Sequence, residues 1–472
     1  MQSFTETHRE EPHKAEIADR LRNFDEVYRF FDNLQVQRQA ERCVQCGDPF
    51  CAVNGCPLQN YIPQWLEAIA ARDLERAFRL SNESSPFPEV LGRVCPKSLL
   101  CEGACTLDDG HGAITIGAVE ASITDLAFAA GMELEFPGVT SDKRVAVVGS
   151  GPAGISCAHF LLRAGIGVDM FERADLPGGL LTYGIPGFKL DKKIVNFRFE
   201  LLKKAGLTLH LNRTLGRDLQ LQTLLKDYDA VFLGLGATRG KCPGIENQDH
   251  PHVHMAMNFL THQQRRIFGL DWDLRYDVRG KRVVVVGGGD TAMDCVRTAI
   301  RDGSLGVTCL YRRDQFNMPG SRKEFHNAVE EGVEFCFNES PTRVLVDEQG
   351  ELIGINMIKT ELGAPGIDGR QRVSVIEGTE QCVAADVIIM ALGFDMETVP
   401  GLREAGVETG DWGQILIDPQ NGQTGNDKVF SGGDCQRGAD LVVTAAADGR
   451  RAALAMMARL LGRHPVPPAG KG

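Results

Sequence analysis

The sequence predicts an α/β protein in which two doubly wound dinucleotide-binding domains follow an α-helical domain rich in cysteine. Three observations lead to this prediction. Of the 14 cysteines, seven fall between Cys43 and Cys105. The chain then reads as strand, glycine turn and helix in KRVAVVGSGPAGISCAHFLLRAG, starting at Lys143. The same order returns near Gly280 in GKRVVVVGGGDTAMDCVRTAI, and two such units are typical of two doubly wound domains.

The size and composition are those of a globular protein with more than one domain. Its 472 residues exceed what one ordinary core serves, and 43% of them are apolar and 24% charged. No apolar run reaches the roughly 18 residues that a membrane span needs. The polar start MQSFTETHREEPHK lacks the apolar core of a secretory signal. We therefore expect a cytoplasmic protein without a membrane partner.

Charge and cysteine placement restrict the partners further. The 51 basic and 63 acidic side chains give a net charge of -12, which offers no general attraction to phosphate backbones, so we expect no nucleic-acid partner. In a reducing compartment, clustered cysteines indicate metal ligation more than disulfides. The scattered cysteines are interpreted as apolar packing residues: Cys157, Cys242, Cys295, Cys309, Cys336, Cys382 and Cys435.

The first 140 residues are predicted to consist of helices and loops. Helix-forming composition extends over residues 25–42 and 62–80, the cysteine stretches are rich in Gly and Pro, and no strand-rich run appears. At the other end of the chain, we expect the tail HPVPPAGKG to be disordered.

The first glycine turn predicts a dinucleotide site. Gly149, Gly151 and Gly154 form G-x-G-x-x-G directly after the strand VAVV. Such glycines allow a tight turn, the approach of backbone N–H groups to a pyrophosphate, and close packing of the helix. The next strand, GVDMFER, ends with Glu172, whose carboxylate can bind a ribose diol. The site therefore suits an adenosine without a 2′-phosphate.

The second glycine turn has a different specificity signature. Gly287, Gly289 and Ala292 follow the strand VVVV within GGGDTAMD, a segment that also contains the candidate cofactor residues Asp290 and Thr291. The following strand, VTCLYRRD, ends in Arg312 and Arg313, about 25 residues after Gly287. Guanidinium groups at this position can pair with a 2′-phosphate, which favours NADPH over NADH. Helix capping or solvation explains Asp290 and Asp294 equally well.

The clustered cysteines predict a metal centre but do not define it. Their spacing is Cys43-x2-Cys46-x4-Cys51-x4-Cys56-Pro, followed by Cys95-x5-Cys101-x3-Cys105. Two [4Fe–4S] clusters need eight ligands, whereas this segment offers seven thiols. Structural zinc stays an alternative, because tetrahedral thiolate sites use similar CxxC pairs. The spacing alone does not assign individual cysteines.

A set of motifs identifies the family that the sequence resembles. They include QAERCVQCGDPFC, GCPLQNYIPQW, GRVCPKSLLCEGACTL, AITIGAVE, GGLLTYGIPGFKL, GGGDTAMDCVRTAI and NMPGSR. In order and extent, from about Arg38 to Leu461, they resemble the small subunit of NADPH-dependent glutamate synthase. The same module resembles the N-terminal half of dihydropyrimidine dehydrogenase.

The resemblance implies specific cluster ligands. Cys43, Cys46, Cys51 and Cys105 would hold one [4Fe–4S] cluster. A second would be held by the remaining four candidates: Cys56, Cys95, Cys101 and Glu120, the last of which lies in AITIGAVE.

The resemblance also implies FAD in the first dinucleotide site. The segment VFSGGDCQRGADLVVTAAADGRRAA is similar to the second FAD-contacting segment of flavoprotein reductases with two dinucleotide domains. Asp434, the helix starting near Leu441, and Gly179 in GGLLTYGIPGFKL would contact the flavin nucleotide, and Lys189 would lie close to it. The expected domain limits are 1–140 for the cluster domain, 141–275 and 393–472 for the FAD domain, and 276–392 for the NADPH domain.

The implied activity is electron transfer. Hydride from NADPH would pass to FAD, and electrons would leave through the two clusters to a glutamate synthase large subunit, with ferredoxin or another acceptor as the alternative. No catalytic acid or base is predicted, because positioning and flavin electrostatics suffice for hydride transfer. A disulfide reductase would need a redox Cys-x-x-Cys, and none follows Cys105. A zinc-containing assembly partner without catalytic activity is a further alternative.

Overall fold

The computed structural model describes residues 3–366 and 371–462. The C-terminal tail for which we expect disorder lies outside these residues. None of the helices in the described ranges is long and apolar enough to cross a bilayer.

The N-terminal domain is built from short helices around a core that includes Trp65, Val119 and Ile123. Its α-helices are Ile17–Arg20, Asn33–Ala40, Phe50–Val53, Ile62–Ala70, Leu74–Ser84, Pro88–Val94 and Ile116–Ala129, and Ser3–Thr5 and Lys97–Leu99 are 3-10 helices. One short antiparallel pair, His13–Lys14 with Tyr28–Arg29, stands where we predicted no strand-rich run.

Two predicted helices are shorter than expected, because capping residues start new helices inside the predicted ranges. The helix predicted over 25–42 is limited to Asn33–Ala40, because the Asp32 side chain accepts hydrogen bonds from the N–H groups of Leu34 and Gln35. The helix predicted over 62–80 is two helices. Arg72 adopts a left-handed conformation with φ of 64°, and Asp73 caps the next helix.

The first doubly wound sheet confirms the predicted fold class. It has five parallel strands in the order Val429–Ser431, Ala230–Leu233, Arg144–Val148, Gly167–Phe171 and Leu207–His210. Its helices are Pro152–Arg163, Leu180–Tyr183, Lys192–Lys204, Leu221–Asp227, Asp434–Arg437 and Val442–Leu461, with the 3-10 helix Arg403–Ala405. The edge strand Val429–Ser431 comes from the C-terminal part of the chain.

The second sheet is also parallel and is built from the middle of the chain. Its strands are, in spatial order, Glu334–Phe337, Gly306–Tyr311, Arg282–Val286, Val387–Met390 and Val253–Met255. Its helices are Ala256–Ile267, Asp290–Arg301 and Arg322–Glu330, with the 3-10 helix Leu274–Tyr276. Strand Val253–Met255 joins this sheet and not the first, so the chain enters the second sheet before the predicted limit at residue 276.

Smaller strands complete the described part of the chain. An antiparallel sheet comprises Glu339–Val346, Leu352–Pro365, Gln371–Val375 and Gln381–Ala384. A two-stranded pair, Arg239–Gly240 with Phe394–Asp395, joins the two chain segments that connect the doubly wound sheets.

A buried ionic network ties the N-terminal segment to the second doubly wound domain. Arg20, Arg297 and Arg301 all donate to the carboxylate of Glu331, at distances of 2.6 to 3.0 Å. The guanidinium groups of Arg297 and Arg301 also lie over the ring of Phe188, 4.4 and 4.2 Å from its centroid. Phe188 belongs to the first domain. Although burial alone would raise the pKa of Glu331, hydrogen bonds from Arg297 and Arg301 lower this pKa to about 2. The ionised network therefore stabilises the fold at neutral pH, and this stabilisation is lost as the pH falls towards 2.

Replacing Glu331 by Gln should destabilise the protein, because three buried guanidinium groups lose their shared anion. Removing one partner of a buried pair typically costs about 3 to 5 kcal/mol. The matched control is Glu330→Gln, since Glu330 also pairs with Arg20 but is 39% exposed, and exposed pairs contribute about 1 kcal/mol or less. Denaturant unfolding at neutral pH measures both changes, and equal losses would contradict the role assigned to the network.

Candidate functional site

The first glycine turn is sterically restricted at two positions and open at the third. Gly149 has a φ of 100°, and a Cβ there would collide with the carbonyl oxygen of Gly234. A Cβ at Gly154 would collide with the carbonyl oxygen of Gly149. Gly151 has open space in front of it and is the N-cap of helix Pro152–Arg163. The turn thus leaves room for a ligand at the positive end of the helix.

A cavity of about 790 Å³ opens at this turn. Its volume is within the range of roughly 300 to 1,000 Å³ that is usual for cofactor and ligand pockets. The lining includes the predicted contact residues Gly149, Gly151, Glu172, Gly179 and Asp434, together with Leu441 and Val442.

Glu172 is held in a fixed orientation beside the cavity. Its Oε2 accepts hydrogen bonds from the N–H and hydroxyl of Ser150, at 2.9 and 2.6 Å, and its Oε1 accepts one from the N–H of Ala174 at 2.8 Å. The residue is buried at the end of strand Gly167–Phe171. A carboxylate fixed in this way can accept further hydrogen bonds from a ribose.

The opposite wall of the cavity is the start of the long helix Val442–Leu461. Leu441, Val442 and Ala445 line the cavity, so the positive end of the helix dipole faces it. Burial raises the pKa of Asp434 to about 7, and this side chain also lines the cavity. Both features suit a ligand that carries hydroxyl groups and develops negative charge.

The second glycine turn has the same architecture. A Cβ at Gly287 would collide with the carbonyl oxygen of Ala391, the ring of Tyr311 packs over Gly288, and Gly289 is open and caps helix Asp290–Arg301. Asp290 accepts a hydrogen bond from the N–H of Ser321 at 2.9 Å. Beside it in the helix, Thr291 is half-buried and Ala292 is buried.

Arg312 and Arg313 follow the second strand of this unit, where we predicted the coenzyme discriminator. Their carbonyl groups accept hydrogen bonds from the Thr360 hydroxyl and the Asn338 N–H, so their backbone is fixed. Within residues 3–366 and 371–462, neither side chain forms an ion pair, and the buried Nε of Arg313 has no hydrogen-bond partner. Arg313 does interact with the Tyr311 side chain, but no carboxylate neutralises either guanidinium group in the described residues.

Asp294 neither caps its helix nor lies in solvent, contrary to both explanations that the sequence allowed. It is buried in the interior of Asp290–Arg301 and accepts from Lys189 Nζ at 2.9 Å. Lys189 belongs to the loop after Leu180–Tyr183 in the first domain. The pair is thus an ionic contact between the two dinucleotide domains, and burial leaves it little screening by solvent.

The cysteines form two separate groups. Cys43, Cys46, Cys51 and Cys105 surround one cavity, and Cys56, Cys95 and Cys101 surround a second together with Glu120. All are free thiols, and in the described ranges no three His, Cys, Asp or Glu side chains are arranged to hold a single metal ion. Each group surrounds a space instead.

The local chemistry of both groups fits anionic ligands of a metal cluster. Burial raises the pKa of Cys43 to about 11 and that of Cys51 to about 12. It also raises the pKa of Glu120 to about 8, and Asn60 orients this carboxyl through a hydrogen bond of 2.7 Å. A cationic cluster offsets such a desolvation cost and keeps these ligands deprotonated.

The three cavities are arranged in series. Val443, in the first turn of helix Val442–Leu461, lines the cavity of Cys56, while its neighbour Val442 lines the large cavity at the first glycine turn. Ile116 lines both cysteine cavities. One side chain is thus shared by the two cysteine cavities, and adjacent residues of one helix turn line the large cavity and the Cys56 cavity.

Comparison with known proteins identifies the families that the chain matches. Residues 20–132 match the family described as dihydropyrimidine dehydrogenase domain II, 4Fe-4S cluster, and residues 143–449 match the pyridine nucleotide-disulphide oxidoreductase family. The chain is 46% identical over 462 residues to the glutamate synthase [NADPH] small chain of Escherichia coli, covering 96% of this chain and 98% of that one. The chain belongs to the glutamate synthase small-chain family of oxidoreductases.

One further relative and one solved structure extend the comparison. An Escherichia coli oxidoreductase named AegA is 47% identical over 452 residues, which cover 94% of this chain and 69% of AegA. Among solved structures, Mycobacterium tuberculosis FprA in complex with NADPH is 20% identical, has a TM-score of 0.57, and is matched over 68% of this chain and 85% of that chain. The likeness to FprA shows the shared fold of the two dinucleotide domains.

Asp448 is a site residue that sequence reasoning missed. It is fully buried and accepts from the N–H of Gly433 at 3.0 Å, Arg437 Nε at 2.9 Å and Arg451 Nη2 at 2.8 Å. It thereby fixes the turn that carries Asp434. The signal that could have revealed it is an acid placed directly after three alanines in TAAADGRRAA.

Replacing Arg312 and Arg313 together by Gln should weaken NADPH binding and leave NADH binding nearly unchanged. Each charge-assisted hydrogen bond to the 2′-phosphate contributes roughly 1.5 to 3 kcal/mol, so the loss should exceed about tenfold. Titration of both coenzymes measures it, with the exposed Arg343→Gln, in the neighbouring strand Glu339–Val346, as control. An equal loss for NADPH and NADH would show that the two arginines only support the fold.

Proposed function

We propose that this protein is the electron-input subunit of a glutamate synthase. It takes hydride from NADPH onto FAD and passes electrons through two [4Fe–4S] clusters to a large subunit, which forms glutamate from glutamine and 2-oxoglutarate. The observation that carries this proposal is the serial arrangement of the three cavities: the adjacent residues Val442 and Val443 line the large and the inner cysteine cavity, and Ile116 lines both cysteine cavities. An electron carrier needs such contiguity, whereas a hydrolase or a binding module does not.

The residues of the large cavity suit FAD. Gly149 and Gly154 allow the tight turn, and Gly151 leaves space for a pyrophosphate at the helix N-terminus. Glu172 offers its carboxylate to the adenosine ribose, and Asp434 offers a polar group to the ribityl chain. FAD converts a two-electron hydride into single electrons, which clusters require. The N-terminus of Val442–Leu461 favours the negative charge that accompanies reduction.

The second glycine turn suits NADPH. Gly287 and Gly289 leave room for the pyrophosphate at the start of Asp290–Arg301, and Arg312 and Arg313 provide unpaired positive charge for the 2′-phosphate. Asp290, Thr291 and Ala292 form the first turn of that helix. No acid or base is needed, because the protein orients two cofactors and excludes water.

The two cysteine groups suit two clusters. Cys43, Cys46, Cys51 and Cys105 offer four thiolates to the outer cluster; Cys56, Cys95, Cys101 and Glu120 offer three thiolates and a carboxylate to the inner one. The outer group adjoins two exposed apolar side chains, Phe50 and Val53. We place the electron acceptor at this surface.

For the electron acceptor, the match to AegA supports a second candidate. AegA is as similar to this chain as the glutamate synthase small chain, but the match covers only 69% of AegA. A member of this family can thus form part of a longer oxidoreductase. Ferredoxin or another redox protein is therefore the second candidate acceptor.

Anaerobically purified protein should be brown and contain about eight iron atoms per chain, the content of two four-iron clusters. Cys101→Ser should lose about half of this iron and retain FAD, because the flavin cavity has its own core. Cys382→Ser, which changes an exposed cysteine far from both groups in sequence, is the control and should keep all the iron. Stoichiometric zinc without iron would refute the cluster assignment.

The isolated protein should oxidise NADPH with artificial acceptors but should form no glutamate from glutamine and 2-oxoglutarate. Two dinucleotide domains and the cysteine domain account for nearly all of the described residues, which leaves no site for amino-acid chemistry. Addition of a glutamate synthase large subunit should couple NADPH oxidation to glutamate formation, measured side by side. If the combined subunits reduce dyes and never form glutamate, the ferredoxin-type acceptor becomes the better assignment.

A further inference from the structure

Lys97 brings a positive charge to the inner cysteine cavity. It follows Cys95 by two residues and lines the cavity formed by Cys56, Cys95, Cys101 and Glu120. Its Nζ donates to the carbonyl oxygen of Arg93 at 3.1 Å. Its alkyl chain lies in a notch at Gly117, where any Cβ would collide with Lys97 Cε. The position of this ammonium group is therefore defined by packing.

Arg450 brings a second positive charge close to the loop of Cys56, a residue that lines the same cavity. It lies on helix Val442–Leu461, and its Nη1 donates to the carbonyl oxygens of Leu58 and Ser84, at 2.8 and 3.2 Å. Leu58 lines the cavity and follows Cys56 by two residues. The helix that begins at the flavin cavity thus also holds the loop of a cluster ligand.

Apart from the candidate ligand Glu120, the acidic residues around these two cations are already paired. Glu89 pairs with Arg198 at 2.6 Å, Glu102 with Arg9 at 2.7 Å, and Glu83 with Arg163 at 2.7 Å. In the part of the chain that the structure describes, neither Lys97 nor Arg450 has a carboxylate within ion-pair distance. The two positive charges are therefore not neutralised by neighbouring side chains.

We propose that Lys97 and Arg450 raise the reduction potential of the cluster held by Cys56, Cys95, Cys101 and Glu120. This inference rests on the proposed function, which places a [4Fe–4S] cluster there. Three thiolates and a carboxylate around a [4Fe–4S]²⁺ core give a net charge of -2, and one electron from the reduced flavin makes it -3 without a proton. Nearby fixed cations stabilise the more negative state, because charges interact strongly where solvent is excluded.

The consequence concerns the direction of electron flow. The inner cavity lies next to the flavin cavity, so its cluster receives electrons first. A higher potential at this position favours departure of the electron from the flavin. Lys97 and Arg450 thus act on the cluster through their positive charge and not as ligands, since both donate hydrogen bonds to backbone carbonyl groups.

The test is a potentiometric titration of the anaerobic holoprotein, followed by EPR of its reduced clusters, in Lys97→Gln and Arg450→Gln. In each variant, the reduction potential of one cluster should fall by at least about 59 mV, which corresponds to a tenfold change in the one-electron equilibrium constant. The other cluster, the iron content and the FAD content should stay as in the unmodified protein. Lys97→Arg and Arg450→Lys, which keep the charge, should restore most of the potential. The control Lys203→Gln removes a half-exposed cation that pairs with Glu200 on a first-domain helix and should shift neither cluster.

The possible outcomes separate this inference from the function on which it rests. If the unmodified protein contains zinc or no iron, the proposed function fails. If both clusters are present and both Gln variants leave both potentials unchanged, only this inference is overturned. Equal shifts in the Gln and the charge-keeping variants, or loss of the cluster in both Gln variants, also overturn it, because geometry or assembly would then be the cause. If only one of the two Gln variants loses the cluster, the cluster potential measured in the other variant decides whether this inference holds.

Discussion

The close contact between helices Pro152–Arg163 and Val442–Leu461 is the constraint on which the rest of the site depends. Any Cβ at Gly449 would collide with the carbonyl oxygen of Ala153, and the Ser156 hydroxyl donates to the carbonyl oxygen of Ala446 at 2.6 Å. Because the two helices lie this close, the start of Val442–Leu461 reaches the large cavity. The same helix lines the inner cysteine cavity through Val443. One helix therefore connects the two cavities.

Buried charge holds the domains together in a way that apolar packing does not. The N-terminal segment contributes Arg20, which pairs with Glu331 of the second domain. Helix Asp290–Arg301 of that domain contacts Phe188 and Lys189 of the first dinucleotide domain through Arg297 and Asp294. Charges of this kind are costly to bury unless every partner is in place. The network therefore specifies one relative arrangement of the domains more sharply than contacts between apolar surfaces would.

The sequence predicted those features that are encoded locally. Two strand, glycine-turn and helix units were enough for the fold class, because Gly149 and Gly287 stand where only glycine avoids a collision. The grouping of the cysteines came from resemblance to a family, since thiols 54 residues apart, such as Cys51 and Cys105, are brought together only by the folded helices. Helix limits were missed where Asp32 and Asp73 form caps that composition does not reveal.

Features that depend on distant residues could not be predicted. The bond from Gly433 to Asp448, the pair of Lys189 with Asp294, and the contact of Arg450 with Leu58 join residues whose proximity follows from tertiary packing. Asp448 carries no motif of its own, so its importance appears only when its burial and its donors are known. Sequence patterns identify cofactor turns well, and they say little about the charges that surround them.

The most direct test of the account is whether the inner cluster is the sole route from the flavin to the outer one. The measurement is rapid mixing of Cys101→Ser with NADPH under anaerobic conditions, which follows flavin reduction by absorbance and the outer cluster by freeze-quench EPR. The account predicts flavin reduction at the rate of the unmodified protein, with reduction of the Cys43 cluster slowed by orders of magnitude. Reduction of that outer cluster at an unchanged rate would contradict the serial arrangement of the three sites.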